Sequence, residues 1–143
     1  GIGLVNVVRR AEHVELLKSI GATHVVDSSA ATFRKDLTDA IVATGAYLAF
    51  DAVSGGKLAG QILQCMEAAS AVGQKRFSMY APAVRKQVYI YGGLDPGPTT
   101  FKLGNGGLWN VGGWLVNDFM REEEKHRARV AAEINTTFAS SYV

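Results

Sequence analysis

Short apolar runs alternate along this chain with segments in which apolar residues recur every three or four positions. This alternation predicts strands separated by helices, because side chains repeat every two residues on a strand and about every 3.6 on a helix. The apolar runs predict five strands, at residues 4–8, 23–29, 46–53, 87–94 and 108–116. The helical spacing predicts four helices, at residues 12–20, 31–44, 58–73 and 117–138.

Two segments carry neither pattern. Residues 73–86 are polar and irregular, and residues 95–107 are rich in Gly and Pro, so we expect a surface loop and a turn-rich connection. Strand and helix otherwise alternate along 143 residues, a length that suits one domain. The predicted fold class is therefore α/β, with a mostly parallel sheet and helices on both faces.

The composition argues against several classes of function. A net charge of +2 with scattered Lys and Arg predicts no nucleic-acid surface. No apolar run approaches the ~20 residues that cross a bilayer, so we expect no membrane partner. The single cysteine, Cys65, excludes an internal disulfide, and its apolar neighbours predict a buried, unreactive thiol in a reducing, cytoplasmic compartment. The three histidines are dispersed, and we expect no metal site.

Ligands of open parallel sheets bind beyond the carboxyl ends of the strands, so the residues there form the candidate site. Arg9 and Arg10 end the first predicted strand, and Asp27 and Ser28 end the second. Glycine pairs lie at the exits of the third and fourth strands, at 55–56 and 92–93, where they would let the main chain approach a ligand. The same glycines could also form tight turns without a ligand.

Arg9 and Arg10 carry the most specific signal among these residues. In a dinucleotide-binding unit, an acidic residue at the end of the second strand favours NAD, whereas arginine accommodates the 2′-phosphate of NADP. Solvated surface charge is the other interpretation of the pair. The glycine-rich turn that cradles the pyrophosphate should follow the strand before this one, and residues 1–3 do not follow a strand. We therefore expect the first strand–helix unit upstream of Gly1.

Three stretches resemble the nucleotide-binding domain of medium-chain dehydrogenases/reductases: LLKSIGATHVVD at 16–27, AFDAVSGG at 49–56 and VYIYGGL at 88–94. More narrowly, the chain is similar to the branch of zinc-type alcohol dehydrogenases and quinone oxidoreductases. The resemblance implies that residues 1–143 are a Rossmann-type dinucleotide-binding domain truncated at its N-terminus, and that an upstream catalytic domain is absent. It implies an NADP(H)-dependent oxidoreductase that transfers hydride to a carbonyl, quinone or activated alkene, and a fragment that is inactive alone.

The resemblance also assigns residues to the cofactor and none to catalysis or to a metal. Cofactor contacts are implied for Arg9, Arg10 and His13 near the 2′-phosphate, Ser28 beside the adenine, Val53, Ser54 and Gly55 along the nucleotide groove, Tyr91, Gly92 and Gly93 at the nicotinamide half, and Trp114 and Leu115 near the nicotinamide. The partners implied are the dinucleotide, a small-molecule substrate and a second copy of the chain, which would form a homodimer through the sheet edge at 109–116.

Two alternatives remain open on the sequence. The chain could be an isolated Rossmann-like fragment with a structural or dimerisation role that binds no nucleotide, since the pyrophosphate turn is missing. It could also be a methyltransferase-like α/β domain, although an acidic residue is expected at the end of the second strand of such a domain, where this chain has Arg9 and Arg10. Asp51, at the end of an apolar strand, is a weaker hypothesis for a general base.

Overall fold

The computed structural model describes the main chain of residues 2–72, 84–102, 108–122 and 124–141. The chain divides after Gly112 into two compact units. The first unit alternates strands and helices, in the order β1 (Val5–Val8), α1 (Ala11–Ser19), β2 (His24–Asp27), α2 (Phe33–Thr44), β3 (Leu48–Asp51), β4 (Ser54–Gly56), α3 (Leu58–Ala71), β5 (Lys86–Ile90), β6 (Asp95–Thr99) and β7 (Trp109–Gly113), whose last residue begins the second unit. The second unit contains α4 (Val116–Glu122) and α5 (Glu124–Ser141).

The strands pair in parallel, as the alternation predicts. Val5 lies opposite His24 in the β1–β2 pair, and Leu48 lies opposite Gln87 in the β3–β5 pair. In the described residues the strands form three sheets rather than one: β1–β2, β3–β5–β7 and β4–β6. The predicted α/β fold class with parallel strands is confirmed, and the division of the sheet is a feature that the pattern does not reveal.

Helix α2 follows its sequence pattern closely. Phe33, Leu37 and Ile41 recur every four residues and are all buried, at most 4% exposed. The helix ends where Gly45 adopts a left-handed φ of 67° and its N–H donates to the Ile41 carbonyl, an arrangement that glycine accepts at little cost. The apolar stripe of α2 thereby faces the core.

One hydrophobic core joins the β1–β2 sheet and the β3–β5–β7 sheet. Helices α2 and α3 pack against each other, and their buried side chains meet Val26 of β2 and Val88 of β5. Helix α1 contributes no buried residue to this core and packs instead against β1 and β2. The residues that fill the core are Val26, Phe33, Leu37, Ala40, Ile41, Ala59, Ile62, Leu63, Cys65, Met66, Ala69 and Val88.

The turn-rich prediction for 95–107 is wrong at its start, where Asp95–Thr99 forms strand β6 alongside β4. Pro96 and Pro98 lie at alternate positions, and proline is tolerated in a strand where no donor is required. The N–H of Asp95 donates to the Val53 carbonyl, at 2.9 Å, and begins the pairing. The predicted strand at 46–53 is likewise shorter, because Asp51 closes β3 and a turn leads into β4. The predicted loop at 73–83 lies outside the described residues.

The second unit is helical where the sequence predicts a helix at 117–138. Described residues on both sides of position 123 are helical, in α4 and α5. The rings of Trp114 and Phe119 lie 6.0 Å apart between centroids, and Arg121 pairs with Asp118 at 3.2 Å. Across the described part of the chain, no helix combines the length and the apolar character needed to span a bilayer.

Candidate functional site

The carboxyl ends of β1 and β2 meet at one corner of the first unit, which we call the Arg9–Ser28 corner and define as Arg9, Arg10, His13 and Ser28. The Ser28 N–H donates to the Val8 carbonyl at 2.7 Å, so the end of β2 is fastened directly beside Arg9. Asp27 supports this geometry, because its Oδ1 accepts from the N–H of Ser29 at 2.8 Å and from the Ser29 hydroxyl at 2.7 Å. Four of the predicted cofactor residues are therefore close together.

The side chains at this corner are open to solvent and partly neutralised. The Arg10 guanidinium donates to Glu12 Oε1 at 3.2 Å, and the His13 Nε2 lies 3.8 Å from the same oxygen. The Arg10 side chain is 70% exposed, and the Glu12 side chain is 67% exposed. An ion pair this exposed contributes little stability and is easily exchanged. An arriving anion could therefore replace Glu12 as the partner of Arg10.

The main chain at the N-terminus of α1 adds a positive electrostatic field at the Arg9–Ser28 corner, which favours a bound anion. Arg10 has extended backbone angles, φ −133° and ψ 139°, and α1 begins at the next residue. Arg10 makes no side-chain cap, so its guanidinium is not used to close the helix. The first N–H groups of a helix lack internal acceptors and carry the positive end of its dipole, which attracts anions. The corner thus combines two arginines with a helix N-terminus.

Hydrogen bonds from Ser29 favour the ionised form of the Asp27 carboxyl. The hydroxyl of Ser29, and then its N–H, lower the pKa of the Asp27 carboxyl below its ordinary value, because both donate to the ionised form. Asp27 is therefore a turn residue that is ionised at neutral pH. It holds the loop that presents Ser28 to the corner.

A second group of predicted residues lies at the exits of β3 and β5, and we call residues 52–56 and 91–95 the exit cluster. The N–H of Asp95 donates to the Val53 carbonyl at 2.9 Å, and the N–H of Leu94 donates to the Ala52 carbonyl at 3.4 Å. These bonds join the loop after β3 to the loop after β5. Val53, Ser54 and Gly55 are thereby brought beside Tyr91, Gly92 and Gly93.

Asp51 fixes the conformation of the loop that follows β3. Its side chain is 2% exposed, and its Oδ1 accepts from the N–H of Val53 at 2.8 Å and of Ser54 at 3.4 Å. Within the described residues, the buried Oδ2 has no hydrogen-bond partner. These contacts favour a structural role for Asp51 as the acceptor that shapes the β3 exit, rather than the role of a general base.

Ser54 has a strained backbone, with φ at 75°, the single non-glycine residue in the left-handed region in the described part of the chain. The Thr99 hydroxyl donates to the Ser54 carbonyl at 2.6 Å and, with Asp51, fixes this conformation. A non-glycine residue in this region costs of order 1–3 kcal/mol and persists only where the surroundings impose it. The strain lies at the carboxyl end of β3, where a ligand is expected.

The two glycines of the 92–93 pair differ. A Cβ on Gly92 would collide with the main-chain carbonyl of Ala52, whereas a Cβ on Gly93 would have no heavy atom within 4 Å. Gly92 therefore lets the two exit loops approach each other, which is a packing reason for glycine beside the ligand reason expected from the sequence. Gly55 is constrained in the same way, because a Cβ there would lie 2.5 Å from Cγ of Asp95.

This difference gives a matched pair of substitutions. Gly92→Ala is expected to lower the free energy of unfolding by about 1–3 kcal/mol, because the added methyl group meets main chain that cannot rotate away. Gly93→Ala is expected to change it by less than about 1 kcal/mol. Urea denaturation of the two variants measures both values. Equal effects at the two positions would contradict the packing explanation for Gly92.

The remaining predicted residues are Tyr91, Trp114 and Leu115. The Tyr91 side chain is 47% exposed, and its ring lies 6.5 Å from that of Phe50 between centroids. Trp114 and Leu115 belong to the second unit, where Leu115 is 60% exposed. The structure places neither of them relative to the corner or the exit cluster.

Asp95 is the site residue that the sequence analysis missed. Its Oδ1 accepts from the N–H of Gly97 at 2.8 Å, and its carboxylate lies against Gly55 and Gly56. It was overlooked because the Gly- and Pro-rich stretch at 95–107 predicts a turn rather than a strand. The only signal was its position directly after the fourth predicted strand.

Three further observations concern other possible sites in the described residues. A cavity of about 500 Å³ lies at the opposite, amino ends of β1 and β2, lined by Leu4, Asn6, His24 and Thr44 among others, so it belongs to neither group. Cys65 is buried, and burial raises the pKa of its thiol above the ordinary value, as expected for an unreactive cysteine. Among the described residues, no cluster of His, Cys, Asp and Glu could hold a metal ion.

Comparison with solved structures identifies the fold. The chain matches a crystal structure of a "putative NADPH:quinone reductase" from Mesorhizobium loti with a TM-score of 0.74 and 27% sequence identity over 97% of its length. The fold is Rossmann-like. The chain spans 36% of that protein, so it corresponds to a part of it. No protein-family model matches the sequence, and no curated protein matches it.

The similarity supports kinship with oxidoreductases. It agrees with the resemblance that the sequence motifs carry, at the level of a Rossmann-like fold.

Proposed function

We propose that this chain is the nucleotide-binding part of an NADP(H)-dependent oxidoreductase of the medium-chain type. The observation that carries the proposal is the exposed pair Arg9 and Arg10 at the carboxyl end of a parallel strand, beside the N-terminus of α1. Ligands of such sheets bind at that end, and arginine there accommodates the 2′-phosphate that distinguishes NADP from NAD. Kinship with a reductase from Mesorhizobium loti supports the same cofactor class.

The residues at the corner fit the adenosine half of NADP(H). The planar guanidinium groups of Arg9 and Arg10 can each donate two parallel hydrogen bonds to a phosphate. Ser28 offers a hydroxyl beside them, and His13 offers a further donor once its weak contact with Glu12 is displaced. The N-terminal N–H groups of α1 supply positive field without a side chain. No large rearrangement is needed, since all four side chains are at least partly exposed.

The exit cluster would take the other half of the dinucleotide. Val53, Ser54 and Gly55 would line the groove, and Tyr91, Gly92 and Gly93 would approach the nicotinamide side. The Asp95 carboxylate can accept hydrogen bonds from ribose hydroxyl groups. When bound, the cofactor supplies the hydride, and this chain binds and orients it. The acceptor would be a carbonyl, a quinone or an activated alkene, held mainly by a catalytic domain outside residues 1–143.

Several finer features belong to the same proposal. The parent enzyme would be cytoplasmic, consistent with a single buried cysteine that forms no disulfide. It would belong to the branch of zinc-type alcohol dehydrogenases and quinone oxidoreductases, with any zinc ligands in the catalytic domain. A homodimer would form at residues 109–116, which include β7, the end strand of its sheet among the described residues.

Titration of the chain with NADPH and with NADH, followed by ligand fluorescence, tests the cofactor assignment. We expect NADPH to bind at least about tenfold more tightly, equivalent to about 1.4 kcal/mol. We expect this preference to shrink as salt is raised, because exposed charges are screened. Equal affinities at low salt would contradict the assignment of Arg9 and Arg10 to the 2′-phosphate.

The alternative function is a structural or dimerisation module that binds no nucleotide. The observation in its favour is that β1 and β3 belong to separate sheets in the described residues, which leaves the centre of the nucleotide-binding edge incomplete. Under this alternative, neither coenzyme binds the chain at millimolar concentration, and the chain is a dimer by sedimentation. The same titration therefore separates the two proposals.

A further inference from the structure

Ser54 occupies a backbone conformation that glycine would adopt at lower cost. Its φ is 75°, a region in which a residue with a Cβ is strained and glycine is not. The turn that begins at Ser54 therefore carries a side chain at a position where that side chain lowers stability. Strained residues of this kind concentrate at ligand-binding and catalytic sites, where the surrounding structure imposes them.

Two side chains impose the conformation of Ser54. On one side, Oδ1 of Asp51 accepts from the N–H groups of Val53 and Ser54, at 2.8 and 3.4 Å. On the other side, the Thr99 hydroxyl donates to the Ser54 carbonyl at 2.6 Å. An acceptor from β3 and a donor from β6 thus fix the peptide groups before and after the Cα of Ser54. Since the Asp51 side chain is 2% exposed, the acceptor is itself held rigidly by its surroundings.

The Ser54 hydroxyl takes no part in these bonds. Among the described residues, the hydrogen bonds of Ser54 involve its main chain, and its hydroxyl is free to bind a ligand. A hydroxyl group can donate one hydrogen bond and accept two. A serine can offset the strain of a left-handed conformation by bonding to its own main chain, but this serine does not do so.

Ser54 also lies where a ligand of this fold is expected. It follows the carboxyl end of β3, and it pairs with Asp95 at the start of β6, directly after the exit of β5. Ligands of parallel sheets bind beyond the carboxyl ends of the strands. The residue is only partly buried, so a ligand can reach it.

We propose that Asp51 and Thr99 are positioning residues of the coenzyme site, which hold Ser54 in its left-handed conformation and thereby present its hydroxyl to an oxygen atom in the nicotinamide half of NADP(H). This inference rests on the function proposed above and adds to it one polar contact and the two residues that orient it. Asp51 and Thr99 act through the main chain of Ser54. Because the hydroxyl is held in place before the coenzyme arrives, little conformational entropy is lost on binding.

The variant Ser54→Gly separates binding from stability. Glycine adopts the same φ without strain, so we expect the urea midpoint of this variant not to fall below that of the wild type. Loss of the hydroxyl is expected to raise the Kd for NADPH about fivefold, the effect of one hydrogen bond. Adenosine 2′,5′-bisphosphate lacks the nicotinamide half, so we expect its Kd to change by less than about twofold. Calorimetric titration measures both ligands.

A matched pair of threonine variants tests the positioning role of Thr99. Thr99→Val removes the donor to the Ser54 carbonyl and is expected to raise the Kd for NADPH by about threefold or more, because fewer molecules present the hydroxyl correctly. Thr100→Val removes a neighbouring hydroxyl that donates to the Gly56 carbonyl at 3.0 Å, where the Thr100 N–H already donates at 2.8 Å. This control is expected to bind NADPH within about twofold of the wild type.

The role of Asp51 is tested by rescue. Asp51→Leu leaves the N–H groups of Val53 and Ser54 without their acceptor, and we expect it to raise the Kd for NADPH at least about tenfold. Asp51→Asn keeps an acceptor oxygen and is expected to stay within about threefold of the wild type. If Asp51→Leu does not fold, the threonine pair decides the proposal.

The outcomes separate this inference from the proposed function. The expected losses of NADPH affinity, with the bisphosphate unaffected, support it. An unchanged affinity for NADPH in Ser54→Gly, or an equal loss for both ligands, overturns it and leaves the assignment of the Arg9–Ser28 corner standing. A loss in Ser54→Gly without one in Thr99→Val, or an equal loss in the two threonine variants, overturns the positioning roles. A wild-type chain that binds neither ligand overturns the proposed function and this inference with it.

Discussion

Replacement of Glu67 by alanine is expected to lower the free energy of unfolding by about 3 kcal/mol, the lower end of the range for breaking a buried ion pair. The Lys86 Nζ lies 2.6 Å from Glu67 Oε2, with the Lys86 side chain 2% exposed and that of Glu67 44% exposed. Among the described residues, alanine leaves the ammonium group buried with one neutral acceptor, the Val84 carbonyl at 3.1 Å. We expect a loss at the lower end of the range for buried ion pairs because Glu67 is partly exposed.

Lys86→Met is the matched control, because methionine fills a similar volume and removes the charge together with its need for a partner. We expect this variant to change the free energy of unfolding by no more than about 1 kcal/mol. Urea denaturation measures both variants. A Glu67→Ala variant as stable as the wild type, or a Lys86→Met variant that loses as much as Glu67→Ala, would contradict the view that the pair anchors β5 to α3.

Replacement of both Arg9 and Arg10 by serine is expected to raise the Kd for NADPH more than tenfold and to leave that for NADH within about twofold. Hydrogen bonds to charged groups contribute about 1.5–3 kcal/mol each, and tenfold in Kd corresponds to about 1.4 kcal/mol. The exposure of the corner argues for the lower part of this range. Fluorescence titration of the double variant with both coenzymes measures the change.

Two further variants isolate the cause. Arg34→Ser with Lys35→Ser removes the same charge from an exposed position on α2 and should leave the preference intact. Glu12→Gln should strengthen NADPH binding by a few-fold, because it removes the carboxylate that competes for Arg10 at 3.2 Å. An equal loss of affinity for NADPH and for NADH in the Arg9 and Arg10 double variant would mean that the arginines do not select the 2′-phosphate.

The parts of the fold that the sequence predicted are those decided by local pattern. The period of Phe33, Leu37 and Ile41 gave the buried face of α2, and Gly45 gave its end. The alternation of strands and helices gave parallel pairing, because parallel strands need a long connection. Cys65 was correctly expected to be buried, since its neighbours on α3 are apolar.

The parts that escaped prediction depend on long-range contacts. Nothing local to Gly92 shows that its neighbour is the Ala52 carbonyl, forty residues earlier in the chain. Lys86 reads as a surface residue, and only the fold places Glu67 beside it. Pro96 and Pro98 concealed β6, because proline usually marks turns and the partner strand β4 is only three residues long. Pattern alone likewise could not show that β1 and β3 lie in separate sheets.

The sequence indicated which strand ends form the candidate site, but it did not indicate the side-chain contacts within it. The strand ends identified the corner and the exit cluster, since parallel strands finish at one edge. Glu12 was read as the start of a helix, and its pairing with Arg10 and His13 emerges only from side-chain geometry. Asp95 was hidden in a stretch read as a turn. The contacts of these residues with a dinucleotide remain predictions.

Two-dimensional NMR of the chain during titration with adenosine 2′,5′-bisphosphate, and separately with AMP, tests the position of the 2′-phosphate most directly. We predict that the amides of Arg10 and Ser28 shift with the bisphosphate and shift far less with AMP, because only the former carries the group that the arginines bind. Identical shifts with the two ligands, or shifts confined to the cavity at Asn6 and His24, would contradict the assignment of this corner to NADP(H).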